Sequence, residues 1–179
     1  RGLYGDVVME IDWSVGKILQ RLKKLGLDDN TMVIFASDNG PWLSYGIDGG
    51  SAGPLRAGKG TVYEGGVRVP GIFRWPGKIP SGRSTDVIAG TLDLLPTLAS
   101  LAGGQVPADR VIDGRDLWPV LSGKSLNSPH DFFHYMNRSN EGHANYKGIR
   151  DKRWKLLVDI NRDGKMVEKE LYDLGADVS

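Results

Sequence analysis

Apolar residues in the first part of the chain recur at helical spacing. Val8, Ile11, Val15, Ile18, Leu22 and Leu25 follow three- and four-residue steps, which puts them in one stripe on an amphipathic helix. Lys23 and Lys24 fall in its last turn, where cations complement the helix dipole, and Gly26 is placed to end it. The pattern then changes. Thr31-Met32-Val33-Ile34-Phe35-Ala36 is a continuous apolar run, too short for a helix and rich in strand formers. Bounded by Asp28-Asp29-Asn30 and Asp38-Asn39-Gly40-Pro41, it predicts a fully buried strand. Gly71 to Trp75, before Pro76-Gly77, predicts a second buried strand, and Asp86 to Ala89 a short third. Leu92 to Ala102 predicts another apolar helix, with Asp93 near its start, Pro96 tolerable only in the first turn, and Gly103-Gly104 closing it. A helix followed by a buried strand is the mark of an α/β layered fold.

From about Ser125 the character shifts. Phe132 to Met136, Tyr146 to Arg150, Trp154 to Ile160 and Val167 to Leu174 are short strand-like segments separated by tight turns. The expected organisation is an α/β layer over residues 1–124 and a small antiparallel β subdomain over 125–179.

Composition adds exclusions. Hydrophobic residues at 40% and charged residues at 25% are those of an ordinary globular protein, and 23 basic against 22 acidic residues leave a net charge of +1. Neither a nucleic-acid partner nor a membrane partner is expected. No apolar run approaches the roughly 18 residues that a membrane span needs. The chain opens at Arg1 and not at Met, so it is expected to continue a longer protein. There is no cysteine, which removes disulfides, cysteine zinc sites and a cysteine nucleophile from these residues. Glycine and proline cluster between Gly40 and Gly82, and a shaped loop region of that length is usually functional.

Three motifs mislead. Gly53-Pro54-Leu55-Arg56-Ala57-Gly58-Lys59 begins like a phosphate-binding loop, but Gly60 stands where Ser or Thr would hold magnesium, and no strand enters it. Asp159-Ile160-Asn161-Arg162-Asp163-Gly164 with Glu170 fits the EF-hand calcium loop. Its flanks read as strands and Asp163-Gly164 as a hairpin turn, so a β-hairpin is expected. Asn137-Arg138-Ser139 is a glycosylation sequon whose meaning depends on a eukaryotic secretory route.

Chemistry gathers at the end of the first strand. Asp38 offers a carboxylate and Asn39 an amide oxygen where the sheet delivers the chain, the kind of oxygen shell a hard divalent cation takes. Two donors do not fill six or more positions, and the same residues also make plain turns. Further on, Gly58-Lys59-Gly60-Thr61 lets the backbone pass close to a ligand while one ammonium neutralises an anion; a solvated loop lysine is the alternative.

Together these stretches resemble a known family. Asp38-Asn39-Gly40 followed by Gly58-Lys59-Gly60-Thr61-Val62-Tyr63-Glu64-Gly65-Gly66-Val67-Arg68-Val69-Pro70 is similar to the second half of the sulfatases of arylsulfatase type. Trp75-Pro76-Gly77, Leu92-Asp93-Leu94-Leu95-Pro96-Thr97, Asp113-Gly114 and Glu170-Leu171-Tyr172-Asp173-Leu174 follow in the family's order. The resemblance implies an alkaline-phosphatase/sulfatase-like α/β fold, present here as a partial mixed sheet flanked by helices plus the β subdomain. It implies Asp38 and Asn39 as two calcium ligands, and Lys59 as a catalytic residue that contacts the sulfate and helps hold the nucleophile. His134 and His143 fall where the family's substrate pocket varies and are candidate substrate contacts, with a surface histidine as the alternative; Arg68 is expected as a structural ion-pair partner, and His130 has no assigned role. The family's nucleophile is a formylglycine made in a C/S-x-P-x-R motif, whose hydrate attacks sulfur. No such motif occurs here; Ala52-Gly53-Pro54-Leu55-Arg56 only imitates it.

The expectation is therefore half a site: a C-terminal fragment of a sulfatase that acts on a sulfate ester, with its calcium site incomplete and the formylglycine in the missing N-terminal half. Alone it is expected to be inactive and prone to self-association through exposed sheet edges. A periplasmic or secreted address goes with the resemblance. The rival readings are a phosphoester or phosphonate hydrolase of the same superfamily and a non-catalytic calcium- or anion-binding module.

Overall fold

A computed structural model describes residues 2–138, 144–161 and 163–178, which fall into two compact units, one running to Ser81 and the other spanning Gly82–Val178. The change of character at Ser125 lies inside the second unit.

In the first unit, helix α1 (Gly2–Lys24) carries the apolar stripe. It ends as its sequence requires: Gly26 takes a positive φ of 67°, its N–H bonds Lys23 O at 3.1 Å, and Leu27 N–H reaches back to Leu22 O at 3.0 Å. That pair of bonds satisfies carbonyls the helix leaves open. Strands β1 (Val33–Ala36) and β2 (Gly71–Arg74) pair antiparallel, with Val33 opposite Arg74 and Ala36 opposite Gly71. Burial departs from expectation. Neither strand is fully buried: Phe35 is 42% exposed and Ile72 58%, and α1 buries none of its residues. The two strands pair only with each other among the described residues, and their side chains run from half-buried to exposed.

Arg74 closes the unit by a two-pronged ion pair, Nη1 to Asp28 Oδ1 at 2.7 Å and Nη2 to Oδ2 at 2.8 Å, with Trp75 Nε1 donating to Asp29 O at 3.0 Å. The guanidinium holds the Asp28 carboxyl below its usual value. A carboxyl lowered on folding stabilises the fold above its unfolded pKa, and that contribution disappears as pH falls through the folded value. Asp28→Asn is therefore expected to lower the urea midpoint at about pH 6, and the gap from wild type to narrow as pH falls below the ordinary carboxylate range. A gap that is constant with pH would remove the ion pair as its cause.

In the second unit the expected strand at Asp86 to Ala89 does not form. That stretch belongs to no strand, and the Ile88 carbonyl is taken by Ser128 Oγ at 2.7 Å instead of a ladder partner. A short 3-10 turn (Thr91–Asp93) leads into α3 (Leu94–Leu101), with Pro96 in its first turn as expected. Two one-turn helices, α2 (Glu64–Val67) in the first unit and α4 (Trp118–Leu121) in the second, were not foreshadowed by any periodicity, being too short to show one. The meander is present: β3 (Phe133–Arg138), β4 (Ala144–Arg150), β5 (Trp154–Ile160) and β6 (Met166–Asp173) form a sheet in that order, all antiparallel. Tyr135, Leu157, Val158 and Leu174 are buried, and the buried Lys155 sets its ammonium 4.2 Å from the Tyr135 ring centre. The β5–β6 turn is a hairpin, with Gly164 at φ 75° and Asn161 N–H bonded to Lys165 O at 2.9 Å, so the EF-hand pattern sits between strands without helices. Arg162 of that pattern and Ser139 of the sequon lie outside the described residues.

Candidate functional site

The loop after β1 and the loop carrying Lys59 are stitched together by backbone hydrogen bonds. Gly40 N–H donates to Gly66 O at 3.0 Å and Lys59 N–H to Pro41 O at 2.9 Å, while within the Lys59 loop Gly65 N–H donates to Arg56 O at 2.8 Å. Ser37 Oγ turns back onto Asn39 O at 2.7 Å, and Thr61 Oγ onto Gly58 O at 2.8 Å, so each loop also closes on itself. Close approach is possible because glycines line the seam. A Cβ on Gly40 would sit 1.8 Å from Gly65 O, one on Gly58 2.4 Å from Pro41 O, and one on Gly66 2.3 Å from Thr61 O. Ala57 is the one described non-glycine residue with positive φ, 61°, directly before Gly58-Lys59, and such a conformation persists only where the surroundings hold it.

This seam brings three of the sequence-based site residues into one neighbourhood. Asp38 is exposed and Asn39 half-buried at the end of β1, while the Lys59 backbone is fixed to Pro41, two residues beyond Asn39. Among the described residues neither the Asp38 carboxylate nor the Asn39 amide is engaged by another side chain. The Lys59 ammonium lies 5.2 Å from the Trp42 ring centre. Glu64, 3% exposed at the start of α2, pairs with Arg68 at 3.8 Å, so Arg68 has the structural partner expected of it. Arg56 stacks over Tyr63, 4.2 Å from the ring centre.

Two hard oxygen donors at a strand end fit calcium in kind, but not in number. Among the described residues no three His, Cys, Asp or Glu side chains converge as a metal site. The donor set present here is thus compatible with a share of a calcium shell.

His134, on β3 of the second unit, meets Tyr146 through Nδ1 and the phenol at 3.1 Å, with the rings 5.8 Å apart. Burial pushes the Tyr146 phenol above its usual value. His143 lies outside the described residues.

His130, unassigned from sequence, is part of a polar cluster in the second unit. Its Nε2 lies 2.7 Å from Oδ1 of Asp93, which is fully buried and also accepts from Gly90 N–H at 2.8 Å and Arg115 N–H at 2.7 Å. Thr97 Oγ donates to Asp93 O at 2.7 Å and accepts from Leu117 N–H at 2.8 Å. The cluster fixes the segment that enters β3, and with it the strand that carries His134. Its signal in the sequence was Asp93 one turn before Thr97; nothing in the linear pattern pointed to His130 as the partner.

Comparisons with known proteins agree on one family. The sulfatase family model matches residues 1–104, and a model described as N-sulphoglucosamine sulphohydrolase, C-terminal, matches residues 57–179. The chain is similar to human steryl-sulfatase, 51% identical over 142 residues that make up 76% of this chain and 24% of the relative. It is similar to N-acetylgalactosamine-6-sulfatase of Canis lupus familiaris, 50% identical over 135 residues, 75% of this chain and 26% of the relative. Among solved structures it is similar to the PsFucS1 sulfatase from Pseudoalteromonas sp., with a TM-score of 0.80 at 28% identity over 96% of this chain and 36% of that one. The chain thus spans about a quarter of the length of the curated relatives it matches. No helix among the described residues is long and apolar enough to cross a membrane.

Proposed function

The chain belongs to the sulfatase family and has its alkaline-phosphatase-like fold, and from that premise we propose that it is the C-terminal portion of a sulfuric ester hydrolase that supplies part of the calcium and sulfate site. The observation that supports this most is the backbone seam that holds Asp38-Asn39-Gly40 beside Lys59. Asp38 and Asn39 would hold a calcium ion through their side-chain oxygens, the remaining ligands coming from a preceding part of the same domain. When bound, calcium supplies fixed positive charge for the oxygens of a sulfate group. Lys59 adds a second cation on the same anion, placed in advance by its backbone bond to Pro41. His134, held by Tyr146, is the described candidate for contact with the organic part of the ester, and His143 is a further candidate.

The exposed apolar faces of α1, β1 and β2 accord with this reading, because a layer that leaves Phe35 and Ile72 in water is one that other elements cover. We assign that cover to the N-terminal half of the domain, which would also carry the formylglycine. Without it the chain is inactive and associates through these faces. A periplasmic or secreted address accompanies the reading.

The test is hydrolysis of an aryl sulfate by the polypeptide extended to the length of its relatives. Calcium-dependent turnover is expected, and Lys59→Ala is expected to lower kcat/KM by at least about a hundredfold, the scale of a lost preorganised charge. Turnover of phosphate esters in preference to sulfate esters would move the reading to a phosphoester hydrolase. Calcium or sulfate binding without turnover would move it to a binding module.

A further inference from the structure

We propose that Trp42 is a positioning residue for Lys59: its indole face holds the ammonium in place for an anionic sulfate group without neutralising it. The inference rests on the sulfatase reading for Lys59. A lysine side chain is a flexible four-carbon stem ending in a point charge, and on an exposed loop it is spread over many rotamers. Here the Lys59 backbone is anchored to Pro41 O, the residue next to Trp42, at 2.9 Å. Gly58 packs so closely on Pro41 O and the Leu43 side chain that a Cβ would lie 2.4 Å and 3.0 Å from them. Lys59 Nζ then lies 5.2 Å from the Trp42 ring centre, inside the range of a cation–π contact.

Trp42 is itself held. Its N–H donates to Gly49 O at 3.1 Å, its carbonyl accepts from Tyr45 N–H at 3.0 Å, and the two rings lie 4.6 Å apart at 51°. Both residues are largely exposed, 51% and 61%. The choice of partner matters. A carboxylate would orient Lys59 equally well but would compete with sulfate for the charge. The electron-rich face of an indole orients the cation and leaves its charge available. Among the described residues Lys59 makes no ion pair.

The experiment is a double-mutant cycle on the affinity of inorganic sulfate for the extended polypeptide, with Trp42→Leu and Lys59→Met. Trp42→Leu is expected to weaken sulfate about fivefold, Trp42→Phe by less than about twofold, and Trp42→Leu to have no further effect once Lys59→Met is present. The ε-methylene protons of Lys59 are expected upfield by NMR through the indole ring current, and the shift is expected to vanish in Trp42→Leu. Additive losses in the cycle, or a Lys59 shift indifferent to Trp42→Leu, overturn the proposal. So does a wild type with no affinity for sulfate, which would remove Lys59 from anion binding altogether. A wild type that binds sulfate but turns over no ester overturns only the enzymatic reading, since neither readout requires turnover.

Discussion

Asp93→Ala is expected to cost the unit Gly82–Val178 about 3–5 kcal/mol, enough to remove much of a typical domain's stability of about 5–15 kcal/mol. The reason is what the substitution strands. The Asp93 carboxylate is fully buried and serves three donors, Gly90 N–H, Arg115 N–H and His130 Nε2, all within 2.8 Å. The acceptor is fully buried while its donors are only partly so, and a donor left unpaired where water does not reach it costs about 1–3 kcal/mol. Thr97→Val is expected to cost less, about 1–2 kcal/mol, because it orphans chiefly Leu117 N–H. Asp109→Ala serves as the contrast. Its ion pair with Arg110 has a similar length, 2.8 Å, but both side chains are about two-thirds exposed. Such a solvent-screened surface pair is expected to contribute little. Urea denaturation of the three variants separates the cases, and equal midpoints for Asp93→Ala and Asp109→Ala would show that the buried cluster is not what holds this unit together. A functional consequence follows, since the cluster anchors the segment that leads into β3 and hence His134.

Gly40→Ala is expected to abolish the site without touching any charged group. The added methyl would meet Gly65 O at 1.8 Å, Gly65 C at 2.8 Å and Gly66 Cα at 3.1 Å. All three are backbone atoms, so no side chain can rotate away, and the two loops must separate. Separation breaks the bond from Gly40 N–H to Gly66 O and shifts Asp38 and Asn39 relative to Lys59. A displacement of the order of 1 Å in a preorganised site costs about a hundredfold in rate. The expected outcome in the extended polypeptide is a loss of kcat/KM of at least about a hundredfold, with a stability cost in the range of about 1–3 kcal/mol for overpacking. Gly71→Ala tests whether the effect belongs to the seam. Its Cβ would meet only Phe73 Cε2, at 3.9 Å, an ordinary contact in the paired strand. The stability of this chain should then move by no more than about 0.5 kcal/mol. Comparable losses of stability from the two alanines would mean that the glycine seam has no special role.

Local pattern determined a large part of this protein. The stripe from Val8 to Leu25 specified α1, and Gly26 its end, because helical period and a left-handed cap are properties of a few adjacent residues. The four strands after Ser125 and the Asp163-Gly164 turn were legible for the same reason, since alternation and turn chemistry are local. Asp38, Asn39 and Lys59 stood out through the order of short motifs, which also carried the resemblance to the family. Only the tertiary structure decided what depends on residues far apart in the chain. The apolar run Thr31 to Ala36 is half-exposed because burial belongs to the layer that covers a strand and not to the strand itself. Asp86 to Ala89 has strand composition but no partner edge, so its backbone bonds to Ser128. The pairing of His130 with Asp93 joins residues 37 positions apart, and the Trp42 ring meets Lys59 through a fold of two loops. No linear period encodes such contacts; they exist because glycine-lined backbones approach closely enough to carry those side chains together.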